Sequence, residues 1–262
     1  MSLKIGSNNI GDVYVGNNKI DKIFVGSNLV YSAAPKPFAT ATWAEINKVV
    51  QSGKASTYYA LGDEKTITLS TGEDVVLQII GFNAEQQGVF SASNGGTQIA
   101  NYMTIAMKNC LNTTYVWNTS NVQTNMSYFQ SSLRATVDGT LFGLFPQDLR
   151  NIIKYTFKGY MSGYRTSDGV SRGYLQMFPY GLFEVGSSGT TTEQIRTYPY
   201  WSGKTNADRI KYIGTTATSY HTADRYLNSF YKTRICYIRA SDGSGQNANM
   251  ASSAGVCLVF NI

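Results

Sequence analysis

The alternation of apolar and polar positions opens on one ten-residue pattern set down three times, LKIGSNNIGDVYVGNNKIDKIFVGSNLVYS over residues 3–32. Gly6, Gly16 and Gly26 keep the step, as do Asn8, Asn18 and Asn28, and Ile10, Ile20 and Val30. In each unit, β-branched or aromatic positions flank residues that tolerate positive φ, which predicts strand, tight turn, strand. Such a unit buries little by itself, and below roughly 40 residues a chain normally needs outside help. The repeats must therefore pack on the rest of the chain, a symmetry mate or a larger assembly. SAAPKP (32–37) then breaks the pattern with two prolines and reads as a linker. The expected division is a β-repeat module over 1–34 and a larger domain over 35–262.

Helical spacing first appears in TWAEINKVVQSGKAS, where Trp43, Ile46, Val49 and Val50 share a face. Thr42 and Glu45 form a capping box ahead of it, and Gly53 supplies a stop. Alternation returns in KTITLSTGEDVVLQIIGFN, which predicts a hairpin turning at Thr71-Gly72-Glu73. Two shorter helices are expected in SYFQSSLRATVDGTLF, with Phe129, Leu133 and Val137 on one face, and in FPQDLRNIIKY, with Pro146 in its first turn. From Tyr155 onward, short strands alternate with Gly, Ser and Asp turns and end in GVCLVFNI, apolar enough for a central strand. The fold class expected is α+β, a mainly antiparallel sheet with two or three short helices.

Composition narrows the setting. Charged residues make up only 15 %, while Tyr (19) and Gly (25) are plentiful, as in extracellular or virion β-rich proteins. The formal charge of +6 comes without a Lys/Arg run, so a nucleic-acid partner is not expected. No apolar run reaches the roughly 18 residues that suit a bilayer span, so membrane insertion is not expected either. Met1-Ser2-Leu3-Lys4 has no charged segment leading into an apolar one, so no signal peptide is read here. A chain of this character has either lost its signal or leaves the host cytoplasm by another route, such as lysis with a phage particle. Cys110, Cys236 and Cys257 have no metal-ligand spacing and read as buried free thiols; a Cys236–Cys257 bridge requires neighbouring strands.

The single histidine, His221, removes most His-centred catalytic schemes, and no GxSxG, HExxH, Walker or EF-hand pattern is present. It reads as an ordinary loop histidine. Carboxylates in NAEQ and STGED sit in predicted turns, and nothing singles out a glycosidase pair such as Glu73 with Glu184. No catalytic residue, metal site or cofactor is expected. The aromatic signal is stronger: RTYPYWSGK and SYHTADRYLNSFYKTR interleave rings with Arg and Lys. About half of these rings should face a core. Tyr beside Ser, Gly, Asn and Arg is also the chemistry of adaptable recognition surfaces. The candidate ligand-binding residues are Tyr198, Tyr200, Trp201, Tyr220, Tyr226, Tyr231 and Arg234.

Two resemblances cover nearly the whole chain. VYVGNNKIDKIFVGSNLVYS resembles the short Gly-Asn repeats that open many structural proteins of phages infecting gut bacteria. The remainder resembles an uncharacterised domain family of phage tails and bacterial surface proteins. Its pattern is a Trp-Ala-Glu-Ile helix, Gly62-Asp63, Ser131 with Arg134, Phe145-Pro146-Gln147-Asp148-Leu149, and a Gly-Val-x-x-x-Phe-x-Ile strand at Gly255 to Ile262. Two positions depart from it: Ala84-Glu85 stands where the family usually has His-Asp, and Tyr237 to Ser241 only weakly matches a Trp-Trp-x-Arg-Ser segment. If those positions carry a family activity, this member lacks it. The closing strand is also similar to that of the C-type-lectin-like fold, although the Glu-Pro-Asn and Trp-Asn-Asp calcium motifs are absent, so calcium is not expected.

The resemblance implies a non-enzymatic phage or prophage tail protein, located in the virion. Its repeats would attach to other tail proteins, and its larger domain would recognise a bacterial surface glycan or protein. By association with tail assemblies it also implies a homo-oligomer, with a trimer the commonest form. The alternatives are a purely structural virion component and, from another class, a glycan hydrolase.

Overall fold

In the computed structural model, all residues are described except 1–3, 6–7, 10–12, 16, 21, 26–27, 33 and 188–195. The chain divides into two compact units, Met1–Pro37 and Phe38–Ile262. In the first, Lys4–Ile5 pairs with Asn8–Asn9, Val13–Val15 with Asn18–Ile20, and Lys22–Val25 with Asn28–Ser32, each antiparallel. Each ladder is local, the third reaching one residue beyond a ten-residue unit of the sequence. The glycines Gly6, Gly16 and Gly26, read above as turn residues, lie outside the described residues. Two-stranded ribbons have no second layer of their own, and Val15 is largely exposed.

The second unit is built on a five-stranded antiparallel sheet. Its order is Met177–Pro179, Leu258–Asn261, Met103–Met107, Asp74–Phe82, Glu64–Thr68. Met103–Met107 and Leu258–Asn261 are buried along their whole length, so GVCLVFNI does supply an interior strand. The expected hairpin is Glu64–Thr68 with Asp74–Phe82, turning at Gly72 (φ +84°), where a side chain would be strained. The helix Trp43–Gln51 has the expected reciprocal cap: Glu45 N donates to Thr42 Oγ1 (3.3 Å) and Thr42 N to Glu45 Oε2 (2.8 Å). Its face of Trp43, Ile46, Val49 and Val50 joins the same apolar cluster as Ile79, Ile105 and Phe260.

Residues 128–144 differ from the single helix expected. They form successive turns: 3-10 at Tyr128–Gln130, α at Ser132–Thr136, π at Val137–Leu141 and α at Phe142–Leu144. Ser127 and Ser131 each cap a turn, so the helix restarts at Ser131 instead of running on. Pro146 then forces Phe145 to an extended conformation and caps Gln147–Arg150 from outside its first turn.

The unit also holds two three-stranded antiparallel sheets. One has the order Val170–Leu175, Tyr155–Met161, Val89–Phe90; the other runs Tyr220–Arg225, Arg234–Ile238, Gly245–Asn249. A parallel bridge from Tyr220 to Gly255 ties the second to the segment entering the closing strand. The architecture is α+β with mainly antiparallel pairing, as expected. Among the described residues no helix is long and apolar enough to cross a membrane. Cys110, Cys236 and Cys257 are free buried thiols, so no Cys236–Cys257 bridge forms.

Candidate functional site

The chain between Tyr220–Arg225 and Arg234–Ile238 is a hairpin loop that closes on itself. Tyr226 N donates to Arg234 O (3.2 Å), Arg234 N to Tyr231 O (3.1 Å) and Tyr231 N to Asn228 O (3.0 Å). Asn228 Oδ1 accepts from Phe230 N (2.9 Å), an Asx turn that fixes the tip. The ring of Phe230 is left 90 % exposed and that of Tyr231 47 % exposed. Beneath the loop, Arg225 is fully buried; its Nη2 donates to Lys232 O (2.6 Å) and its Nη1 to Met126 O (3.0 Å). Burial pulls the Arg225 pKa down to about 10, against Asp168 and Tyr164, which act to raise it. The loop is therefore a braced platform. Tyr226 and Tyr231 stack tilted at 6.3 Å, and the Arg234 guanidinium lies 5.0 Å from the centre of the Tyr231 ring. The turn at Tyr164–Asp168 adjoins: Lys232 Nζ lies 5.7 Å from the centre of the Tyr164 ring and the Arg165 guanidinium 5.2 Å.

Of the seven candidate residues, the structure brings together Tyr226, Tyr231 and Arg234 on this surface. Tyr198, Trp201 and Tyr220 are core residues, so the expectation of ligand binding by an open face of rings does not hold for them. The reason is an internal cation. Lys211 is buried, donating to Met107 O (3.0 Å) and Lys108 O (2.7 Å), with its ammonium 5.6–5.7 Å from the ring centres of Tyr180, Trp201 and Tyr220. These rings are turned inward to face Lys211. Tyr200 is half-buried, edge-on to Trp201 at 5.0 Å, with Lys204 Nζ 5.2 Å from the centre of its ring.

Tyr198 serves a second buried group that sequence reasoning missed. Lys158 Nζ meets Glu85 Oε2 (2.6 Å), Glu184 Oε1 and the Tyr198 hydroxyl (2.9 Å), with all three charged side chains almost wholly buried. Glu85 Oε1 also accepts from Tyr198 (2.7 Å) and Asn261 Nδ2 (3.0 Å), and Glu184 Oε2 accepts from Gly181 N (2.6 Å). Asn261 continues the network to Thr156 and Thr104 inside the sheets. One lysine thus serves two carboxylates. Burial raises the Glu184 pKa, with Lys158 pulling it back; burial would lower Lys158, but the two carboxylates together outweigh it and hold the ammonium charged. The cavity beside this network, lined by Gln86, Phe157 and Arg196 among others, is about 20 Å³, room for a single water. The sequence signals were Ala84-Glu85, which departs from the family pattern, and Glu184, named only as a possible partner for Glu73. Glu73, considered as a partner for Glu184, instead accepts from Asn112 N (2.9 Å) at its hairpin turn.

A roomier cleft of about 260 Å³ lies at Arg134, Asp138, Tyr155 and Tyr174, but its cation is neutralised by the Arg134–Asp138 ion pair. His221 is in a strand, not a loop, and is buried. One ring nitrogen, Nε2, lies 2.8 Å from Tyr115 O, and burial pushes its pKa down to about 4. Among the described residues no group of His, Cys, Asp and Glu is placed to hold a metal. Comparison with protein-family models, curated proteins and solved structures found no match.

Proposed function

We propose that this chain is a non-enzymatic, tail-associated protein of a phage or prophage. In this reading the repeats of residues 1–34 attach it to other virion proteins, and the larger unit recognises a bacterial surface glycan or protein. The observation that carries the recognition half is the hairpin at 226–234. It combines a tip ring that is 90 % exposed, a second exposed ring and a stacked guanidinium over a buried arginine brace. Exposed rings on a rigid base give contact area at small entropic cost, which is how adaptable binding surfaces are made. Display of a loop on a sheet closed by the C-terminal strand is also the logic of a C-type-lectin-like scaffold, the fold we assign it to by analogy.

The Glu85–Lys158–Glu184 group supports binding over hydrolysis. A two-carboxylate hydrolase needs about 5 Å or more of open space between its carboxyl groups for sugar or water. Here the space is filled by an ammonium that bonds both. The attachment half rests on the repeats, which form ribbons too thin for a core, and it implies a homo-oligomer. Deleting residues 1–34 is expected to abolish incorporation into particles, while the remainder retains a cooperative melting transition. Incorporation of the truncated chain at wild-type levels would overturn the assignment of attachment to the repeats.

A further inference from the structure

We infer that the surface formed by the 226–234 hairpin and the Tyr164–Asp168 turn takes an anionic polysaccharide, bearing carboxylates or phosphodiesters along its chain. This rests on the recognition reading above and adds the ligand's chemistry. Three cations converge here, Arg165, Lys232 and Arg234, each lying over a tyrosine ring. Among the described residues none of the three forms an ion pair. Arg234 Nη1 donates to a neutral partner, Asn247 Oδ1 (2.7 Å), which orients the guanidinium without cancelling its charge. The neighbouring carboxylate, Asp168, accepts from Arg165 N (2.9 Å) and acts electrostatically on the buried Arg225. Against this one carboxylate stand the buried Arg225 and the three outer cations, so these groups together carry a net positive charge.

The geometry suits a sugar polymer in particular. Exposed rings stack on the apolar face of a pyranose, and a planar guanidinium takes a carboxylate or phosphate in two parallel hydrogen bonds. Asn228 on the hairpin, and Asn247 and Asn249 on the strand beside it, add amides that both donate and accept, as hydroxyl groups require. An acidic peptide would want an apolar pocket for its side chains, whereas Phe230 stands out from the surface. A single-stranded nucleic acid could also stack, but such proteins track the backbone with a long positive groove, and this chain has no Lys/Arg run.

The test uses the full chain and four probes in titration calorimetry: a poly(glycerol phosphate) teichoic acid, polygalacturonate, neutral dextran and oligo(dT). Saturable binding to either polyanionic saccharide, at least tenfold tighter than to dextran, is expected, and the two polyanions distinguish phosphate from carboxylate as the source. Each of Lys232→Gln, Arg234→Gln and Arg165→Gln should weaken it about tenfold without moving the melting temperature, since each removes one charge-assisted contact. Raising salt from low to molar strength should weaken it further. Equal binding to dextran, or a tightest complex with oligo(dT), overturns the inference while leaving a binding surface in place. Binding to none of the four, with cell adsorption still lost in Tyr231→Ala, overturns it in favour of a protein receptor. Cell adsorption unaffected by Tyr231→Ala overturns both readings.

Discussion

Replacing Lys158 by methionine is expected to destabilise the larger unit by about 3–5 kcal/mol, the usual cost of stranding a buried charge. The substitution removes the one cation shared by Glu85 and Glu184 and leaves two buried carboxylates close together. Burial already raises the Glu184 pKa and losing Lys158 raises it further, so the loss should shrink as pH is lowered through its titration range. The sign follows from linkage: a carboxyl whose folded pKa lies above its unfolded value contributes stability that is lost as pH rises through that window. The triple variant Lys158→Met, Glu85→Gln, Glu184→Gln should recover much of the loss, because it removes charge and partner together. Urea denaturation at two pH values measures all of this. A Lys158→Met protein as stable as wild type at pH 7 would mean that the group does not hold the three segments together.

Acid is expected to weaken the fold through His221, the single histidine of the chain. Its folded pKa of about 4 lies below the ordinary value of 6.5, with burial as the cause and the bond to Tyr115 O opposing it. The neutral ring is therefore the folded form, and the unfolded chain takes up a proton first as pH falls. Stability is full above about pH 6.5 and declines toward pH 4, by about 3 kcal/mol for a separation of this size. Glu184, raised by burial, acts in the opposite sense within its own window and partly offsets the decline. His221→Gln keeps an amide donor within reach of Tyr115 O and cannot titrate. Its stability should therefore fall less between pH 6.5 and 4 than that of wild type, and parallel pH profiles for the two proteins would contradict the assignment.

The contrast between these groups shows what was legible before the structure. The capping box at Thr42 and Glu45, the hairpin at Gly72 and the closing strand were readable because a few neighbouring residues decide them. The run after Ser127 departs from the single helix expected because Ser127 and Ser131 each cap a turn, which breaks the path that the shared face of Phe129, Leu133 and Val137 suggests. The rings divided by a cause invisible in sequence: Trp201 and Tyr220 turn inward toward Lys211, which lies about ten residues from each in the chain and reaches them only through the fold. Lys158 and Tyr198 reach Glu85 from far along the chain, and only tertiary register joins them. Within the hairpin the reading was closer, since Asn228, Tyr226, Tyr231 and Arg234 act on one another locally. Tyr164 and Arg165 were passed over because they sit on a separate turn.

The central claim is that recognition occurs through the hairpin tip on a scaffold that the tip does not stabilise. Its most direct test is adsorption of the full chain, wild type against the Phe230→Ala, Tyr231→Ala double variant, to a panel of bacterial cells. Saturable adsorption to at least one strain is predicted for wild type, with at least a tenfold loss in the variant and an unchanged melting temperature. Equal adsorption by both proteins would contradict the account.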